Sequence, residues 1–216
     1  MKEREAVVRA KELKLSNNSV FLNIPYDDHF KRLYIAYICG LIHLGLKPRA
    51  TIEIPGGRNR LDKILDLIRS CSYSIHDLSR VQVARNLPFT TPRFNMPFEL
   101  GLAVAATKID ALPDNWFVFE SVPRRVSVSL SDLGGTDANI HNGTPGGVMR
   151  ELGNAFDRQS INERYSVPKV MKTYKTVSSL VGDILRETGG QGLYEAGVFR
   201  GLCVAAGRAA GIPQTR

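Results

Sequence analysis

Between residues 19 and 120, short β-rich runs alternate with segments of helical apolar spacing, and this alternation limits the fold more than any other feature. Ser19 to Ile24 (SVFLNI) reads as a strand stopped by Pro25. From Asp28 to Leu44, Phe30, Leu33, Tyr34, Tyr37, Ile38, Leu41 and Ile42 recur at helical spacing. Asp27 or Asp28 caps that helix, and Gly45 ends it. A second strand is expected over Arg49 to Ile54. After the Pro55-Gly56-Gly57 turn, Asn59 caps a helix whose face is Leu61, Ile64, Leu65 and Ile68. Tyr73 to Leu78 reads as a third strand, Pro97 to Ala106 as an apolar helix and Trp116 to Glu120 as a fourth strand. Strand–helix alternation of this kind predicts an α/β fold. Its core is a flavodoxin-like or Rossmann-like doubly wound parallel sheet, with helices on both faces.

The rest of the chain is less regular. Residues 1–18 form a charged lead-in, helical over 1–16. Ser79 to Asn95 has no period and carries two prolines, so it reads as a long loop. Arg125 to Leu130 is expected as a fifth strand, and Asp132 to Gly147 as a polar loop. Val148 to Arg158 and Val177 to Thr188 read as helices. Gly189-Gly190 is a hinge into a last helix ending near Ala210. The expected division is a lead-in (1–18), an α/β domain (19–158) and a C-terminal helical extension (159–216). Small residues over Gly192 to Ala210 let helices approach closely, so a symmetric homodimer is the expected assembly.

Charge and cysteine usage narrow the class. A formal net charge of +8 in 216 residues favours anionic partners; the basic residues are scattered, so nucleic acid is admitted without being supported. Cys39, Cys71 and Cys203 are odd in number and far apart, which indicates neither a disulfide framework nor a metal site. No apolar run is long enough to span a bilayer, and the first residues lack the apolar core of a signal peptide. The expectation is a cytoplasmic protein with no membrane contact and no cofactor.

In a doubly wound sheet, ligands sit beyond the carboxyl ends of the strands, so the chemistry is sought there. Glu99 is the sharpest signal. From Met96 to Ala106 it is the single strongly polar side chain, on a face shared with Leu102, Ala103 and Ala106. A buried carboxylate is costly unless something pairs or uses it. Pro97 at the first helical position would also allow a capping role for Glu99. Asp77 ends the third strand. Asn23, Pro25 and Tyr26 follow the first, where neither GxGxxG nor a Walker sequence is present. Gly56-Gly57-Arg58 offers amides and a guanidinium to a phosphate. Asn95, Asp132 and His141 complete the candidates, on segments that can reach the same edge.

The sequence Phe98-Glu99-Leu100-Gly101-Leu102-Ala103 resembles the motif of nucleoside 2-deoxyribosyltransferases, in which the glutamate opens a helix and acts as nucleophile. Asn23-Ile24-Pro25-Tyr26 is similar to that family's opening, which lines the sugar and base pocket. Asp77 looks like its base- or sugar-orienting aspartate. The fold group includes Toll/interleukin-receptor-like domains, many of which cleave the nicotinamide bond of NAD with one glutamate. Phe21-Leu22-Asn23, Ile75 to Ser79 and Arg93 to Gly101 together look like an uncharacterised bacterial branch of the group, some relatives of which act in antiphage defence. The resemblance spans roughly residues 19–158. It departs from the transferases at Arg93-Phe94-Asn95-Met96-Pro97, in the Asp132 to Gly147 segment and in the C-terminal extension.

Two functions follow from the resemblance. One is an enzyme, an N-glycosidase or deoxyribosyltransferase, acting on a nucleoside, nucleotide or NAD through Glu99, with Asp77 orienting sugar or base. The other is a non-catalytic nucleotide-sensing or protein-interaction domain on the same scaffold. The enzyme reading expects Asn23, Asp77 and Glu99 to converge in one cleft.

Overall fold

The structure is a computed structural model that describes residues 17–81, 92–110, 115–133, 135–157 and 165–212. The expected lead-in helix over 1–16 and the middle of the Ser79–Asn95 segment lie outside them. Five parallel strands, β1 (Ser19–Asn23), β2 (Lys47–Arg49), β3 (Tyr73–Asp77), β4 (Trp116–Glu120) and β5 (Asn139–Ile140), form one sheet in the order β2-β1-β3-β4-β5. That is the flavodoxin-like order, with its switch point between β1 and β3, where the chain reverses its direction of travel across the sheet.

Side-chain alternation along each strand builds two layers. Val20 and Leu22 of β1, Ile75 of β3 and Phe119 of β4 enter the larger core, on the side of α1 (Lys31–His43). Phe21 turns the other way, against α2 (Arg60–Ser70) and α3 (Asn95–Ile109). Val118 joins it on that side, packing with Met96, Leu100 and Val126. Both faces of every central strand are buried, as a parallel sheet requires. The helices α5 (Pro145–Asp157), α6 (Val167–Thr188) and α7 (Ala196–Ala210) pack around α1. Val170, Val177, Phe199 and Leu202 lie in the same core as Leu22 and Tyr37. Where it is described, the C-terminal extension therefore shares one core with the sheet.

Several sequence expectations need correction. The second strand lies at 47–49, not 49–54. Pro48, which cannot donate to a ladder, sits on this edge strand opposite Val20. Residues Thr51–Glu53 then form a 3-10 turn. Glu53 draws it tight by accepting from the Ala50 amide at 2.8 Å and from the Arg49 guanidinium at 3.0 Å. The expected strand over 125–130 is the short helix α4 (Arg125–Ser129). Its serines bond back to the backbone, Ser127 to the Arg124 carbonyl at 2.8 Å and Ser129 to the Arg125 carbonyl at 2.9 Å. The fifth strand falls instead in the segment expected to be loop. Asn59 adopts φ +61° and makes no capping bond, and Leu61 is half exposed, so the α2 face is Ile64, Leu67 and Ile68. The α6 helix starts ten residues before its expected beginning at Val177. No helix among the described residues is long and apolar enough to cross a membrane.

Candidate active site at the strand ends

The helix α3 begins at Asn95, two residues before Pro97, so Glu99 is its fifth residue and lies beyond the first turn. Glu99 bonds no backbone amide among the described residues, which removes the capping role the sequence allowed. It belongs to the buried stripe Met96, Glu99, Leu100, Ala103 and Ala106, and only 6% of it is exposed. Among the described residues no hydrogen-bond donor reaches its carboxylate. Burial pushes the carboxyl up to about 7, opposed by the nearby Arg60 guanidinium. Arg60, the first residue of α2, is held in place by the Ile54 carbonyl at 3.0 Å and the Thr51 carbonyl at 3.3 Å. Tyr26 is the other neighbour. Burial, and further down the charges of Glu99 and Glu53, raise its hydroxyl well above the ordinary value. Its ring packs 5.5 Å from that of Tyr194.

Asp77 and Asn23 are handled differently. The pleat puts Asp77 on the α1 side with Ile75, where it is fully buried. Its Oδ2 accepts from the Tyr37 hydroxyl at 2.7 Å, and its Oδ1 accepts from the Ser79 amide at 2.9 Å. The imidazole of His141 lies alongside, Nε2 at 3.1 Å from Oδ2 but off the line of a hydrogen bond. Because His141 Nδ1 accepts from the Gly143 amide at 3.0 Å, the proton of the neutral ring is on Nε2, facing Asp77. Asn23 turns to the opposite face. Its amide donates to His76 Nδ1 at 3.0 Å and to the Met96 carbonyl at 2.8 Å, tying the start of α3 to the ends of β1 and β3. Burial drives the His76 imidazole down to about 3, so it is neutral.

Tyr26 lies near enough to Glu99 for the two charges to interact, and Asn23 reaches the start of α3 at the Met96 carbonyl. Asp77 does not, because strand alternation aims it at α1 while Glu99 rides on the helix covering the other face.

Two further carboxylates at this edge, Glu120 and Asp27, are engaged. Glu120, at the end of β4, is 1% exposed and takes Arg125 Nε at 2.8 Å together with the Ser121 and Val122 amides. Asp27, in the β1–α1 connection, takes Arg80 Nε at 2.8 Å and Arg93 Nη1 at 2.7 Å on a single oxygen. Burial works against its charge, but the two arginines outweigh that and hold the carboxyl below its ordinary value. Of the three buried carboxyl groups described, Asp77, Glu99 and Glu120, Glu99 alone lacks a donor.

The other sequence candidates are scattered. Pro25 is buried. Arg58 is exposed on the turn before α2, and Asn95 is exposed at the start of α3. Asp132 is exposed in a 3-10 turn that adjoins α4. Sequence reasoning missed Arg60, Arg80, Arg93 and Tyr194. It also missed Phe94 and Phe98, 67% and 54% exposed, which stand one helical turn apart beside Glu99. The exposure of two phenylalanines was not readable from an apolar stretch, and the arginines belong to no local motif. Among the described residues no group of three His, Cys, Asp or Glu side chains could hold a metal ion. No protein-family model matches the chain, and no curated protein matches it either.

Proposed function

We propose that this protein cleaves an N-glycosidic bond of a nucleoside, nucleotide or NAD, with Glu99 as its single catalytic carboxylate. The observation that carries the proposal is the Glu99 carboxyl on the buried stripe of α3 at the switch-point edge, which no donor among the described residues meets, whereas the other buried carboxylates described, Asp77 and Glu120, are engaged. An unpaired carboxylate in an apolar stripe costs stability unless the site uses it. Breaking a bond between an anomeric carbon and a base nitrogen builds positive charge on the sugar. A carboxyl that titrates near neutrality is available in its ionised form, and that carboxylate stabilises the charge in a low-dielectric setting. The electron pair of the broken bond leaves with the base. Water supplies the new oxygen on the anomeric carbon; its proton ends on the base of a nucleoside or nucleotide, and in solvent for NAD, whose nicotinamide leaves neutral. The resemblance of Phe98 to Ala103 to the deoxyribosyltransferase motif supports the same role.

The engagement of Asp77 by the Tyr37 hydroxyl and the Ser79 amide favours a one-carboxylate reaction over a division of labour between two. Asp77 is then a positioning residue that locks the end of β3 to α1 through Tyr37. Tyr26 and the exposed Phe94 and Phe98 supply aromatic surface to a base.

The test is incubation of the intact protein with a panel of ribo- and deoxyribonucleosides, their 5′-monophosphates and NAD, followed by chromatography for free base. Release of base from one member or more is the expected result. Saturable binding of a panel member with no base released would favour the nucleotide-sensing alternative and overturn the enzymatic reading.

A further inference from the structure

We infer that Arg80 and Arg93 form a receptor for a ligand's phosphoryl group, and that Asp27 occupies it as an internal anion. The inference rests on the N-glycosidic reading for the rest of the ligand and names its class: a phosphorylated nucleoside, not a bare one.

Three observations carry it. First, the two guanidiniums converge on one atom, Asp27 Oδ2, from 2.8 and 2.7 Å, so one carboxylate faces two positive charges. Second, both arginine side chains stay open to solvent, at 39% and 33%, whereas the Asp27 side chain between them is 14% exposed. Arg80 uses Nε and Arg93 uses Nη1 on Asp27; among the described residues their other guanidinium nitrogens have no acceptor. A phosphoryl group has three oxygens and carries up to two charges, and guanidinium forks match that geometry better than one shared carboxylate oxygen does. Third, the cluster sits at the switch point. Asp27 lies four residues beyond the end of β1 and Arg80 three beyond the end of β3. Arg93 lies two residues before α3, and from Asn95 to Glu99 the helix rises only about 6 Å. A sugar at Glu99 would therefore carry a 5′ substituent within reach of the pair.

The frame is rigid enough to keep the receptor in place. The Asp27 carbonyl accepts from the Tyr194 hydroxyl at 2.5 Å, Asp27 Oδ1 accepts from the Phe30 amide at 3.2 Å, and the Arg93 amide donates to the Val81 carbonyl at 3.2 Å. Asp27 can release the arginines while its backbone stays anchored through Tyr194, just before α7. Arg58, the phosphate candidate of the sequence, has no such convergence.

The test is calorimetric titration of the full chain with AMP, adenosine and inorganic phosphate, on the native protein and on Arg80→Ala, Arg93→Ala, Asp27→Asn and Arg58→Ala. The native protein is expected to bind AMP more tightly than adenosine, with inorganic phosphate competing against AMP. Each of Arg80→Ala and Arg93→Ala should weaken AMP by about 10- to 100-fold and leave adenosine unchanged. Asp27→Asn should tighten AMP and phosphate, because it removes the internal competitor. A purely structural clamp predicts the reverse for Asp27→Asn, namely a lower melting temperature with no gain in phosphate affinity. That result, or loss of AMP binding in Arg58→Ala alone, overturns the inference. Because the readout is binding, inactivity of Glu99 toward glycosidic bonds would leave the outcome interpretable.

Discussion

At the scale of single residues, the fate of each carboxylate follows from where alternation and helical phase aim it. Asp77, Glu120 and Asp27 are each met by donors from a neighbouring residue or element. Among the described residues Glu99 is met by none, and its carboxyl is pushed up to about 7 by burial. That elevation makes a prediction about stability. The folded state holds the Glu99 proton more tightly than the unfolded chain, whose carboxyl titrates near 4.5. Between these values the folded state binds more protons, so stability falls as pH rises through the window and levels off above it. The cost above neutrality is roughly 3 kcal/mol, since each tenfold change in proton affinity is worth about 1.4 kcal/mol. Glu99→Gln should therefore melt higher than the native protein at pH 8 and about equally at pH 4. A lower melting temperature at pH 8 would mean that Glu99 is held by favourable contacts. The identity of Glu99 as an anomalous carboxylate was legible because its neighbours Met96 to Ala106 are apolar. The partners of Asp77 were not, since Tyr37 and His141 are 40 and 64 residues away in the chain, a relation that no local pattern encodes.

At the scale of elements, the helical phases of α1 and α3 and the strands β1, β3 and β4 were readable because each is long enough to display its period. Most of the failures lie where an element is two to five residues long; the misplaced start of the 22-residue α6 is the exception. Asn139–Ile140 cannot show alternation, and the β-branched and serine-rich run at 125–129 closes a helical turn only because Glu120 fixes Arg125 and the serines bond back. The start of α5 offers a test of this local determinism. A Cβ on Gly147 would stand 1.9 Å from the His141 carbonyl oxygen, a backbone atom that cannot swing aside. Gly147→Ala should therefore cost more than the roughly 1–3 kcal/mol typical of an overpacked core side chain, and should disturb the His141 ring beside Asp77. Gly182, exposed in mid-helix on α6 with open space around it, is the contrast. There an alanine should stabilise by roughly 0.5–1 kcal/mol. Urea denaturation of both variants checks the pair; equal effects would show that the close approach at Gly147 is relaxed in solution.

At the scale of the molecule, a doubly wound sheet in 2-1-3-4-5 order gathers the ends of β1 and β3 at one place, and the C-terminal helices close over it. The extension is part of that core. Val198, Phe199, Leu202 and Ala206 of α7 are buried with the residues of α1, and Tyr194 anchors Asp27. A chain ending at Gly190 should lose its cooperative thermal transition; a truncated protein melting within a few degrees of the native one would contradict the single core. On the proposed function, this assembly keeps the Glu99 carboxyl, which has no donor among the described residues, ready for the charge that develops on a sugar. The most direct measurement is base release at pH 7 by Glu99→Gln and by the native protein, on the best substrate of the panel, with circular dichroism of both. The account predicts an unchanged spectrum and a rate reduced by roughly a thousandfold or more, since glutamine keeps the shape but cannot supply the charge. A folded Glu99→Gln protein that still releases base at a rate near the native one would contradict it.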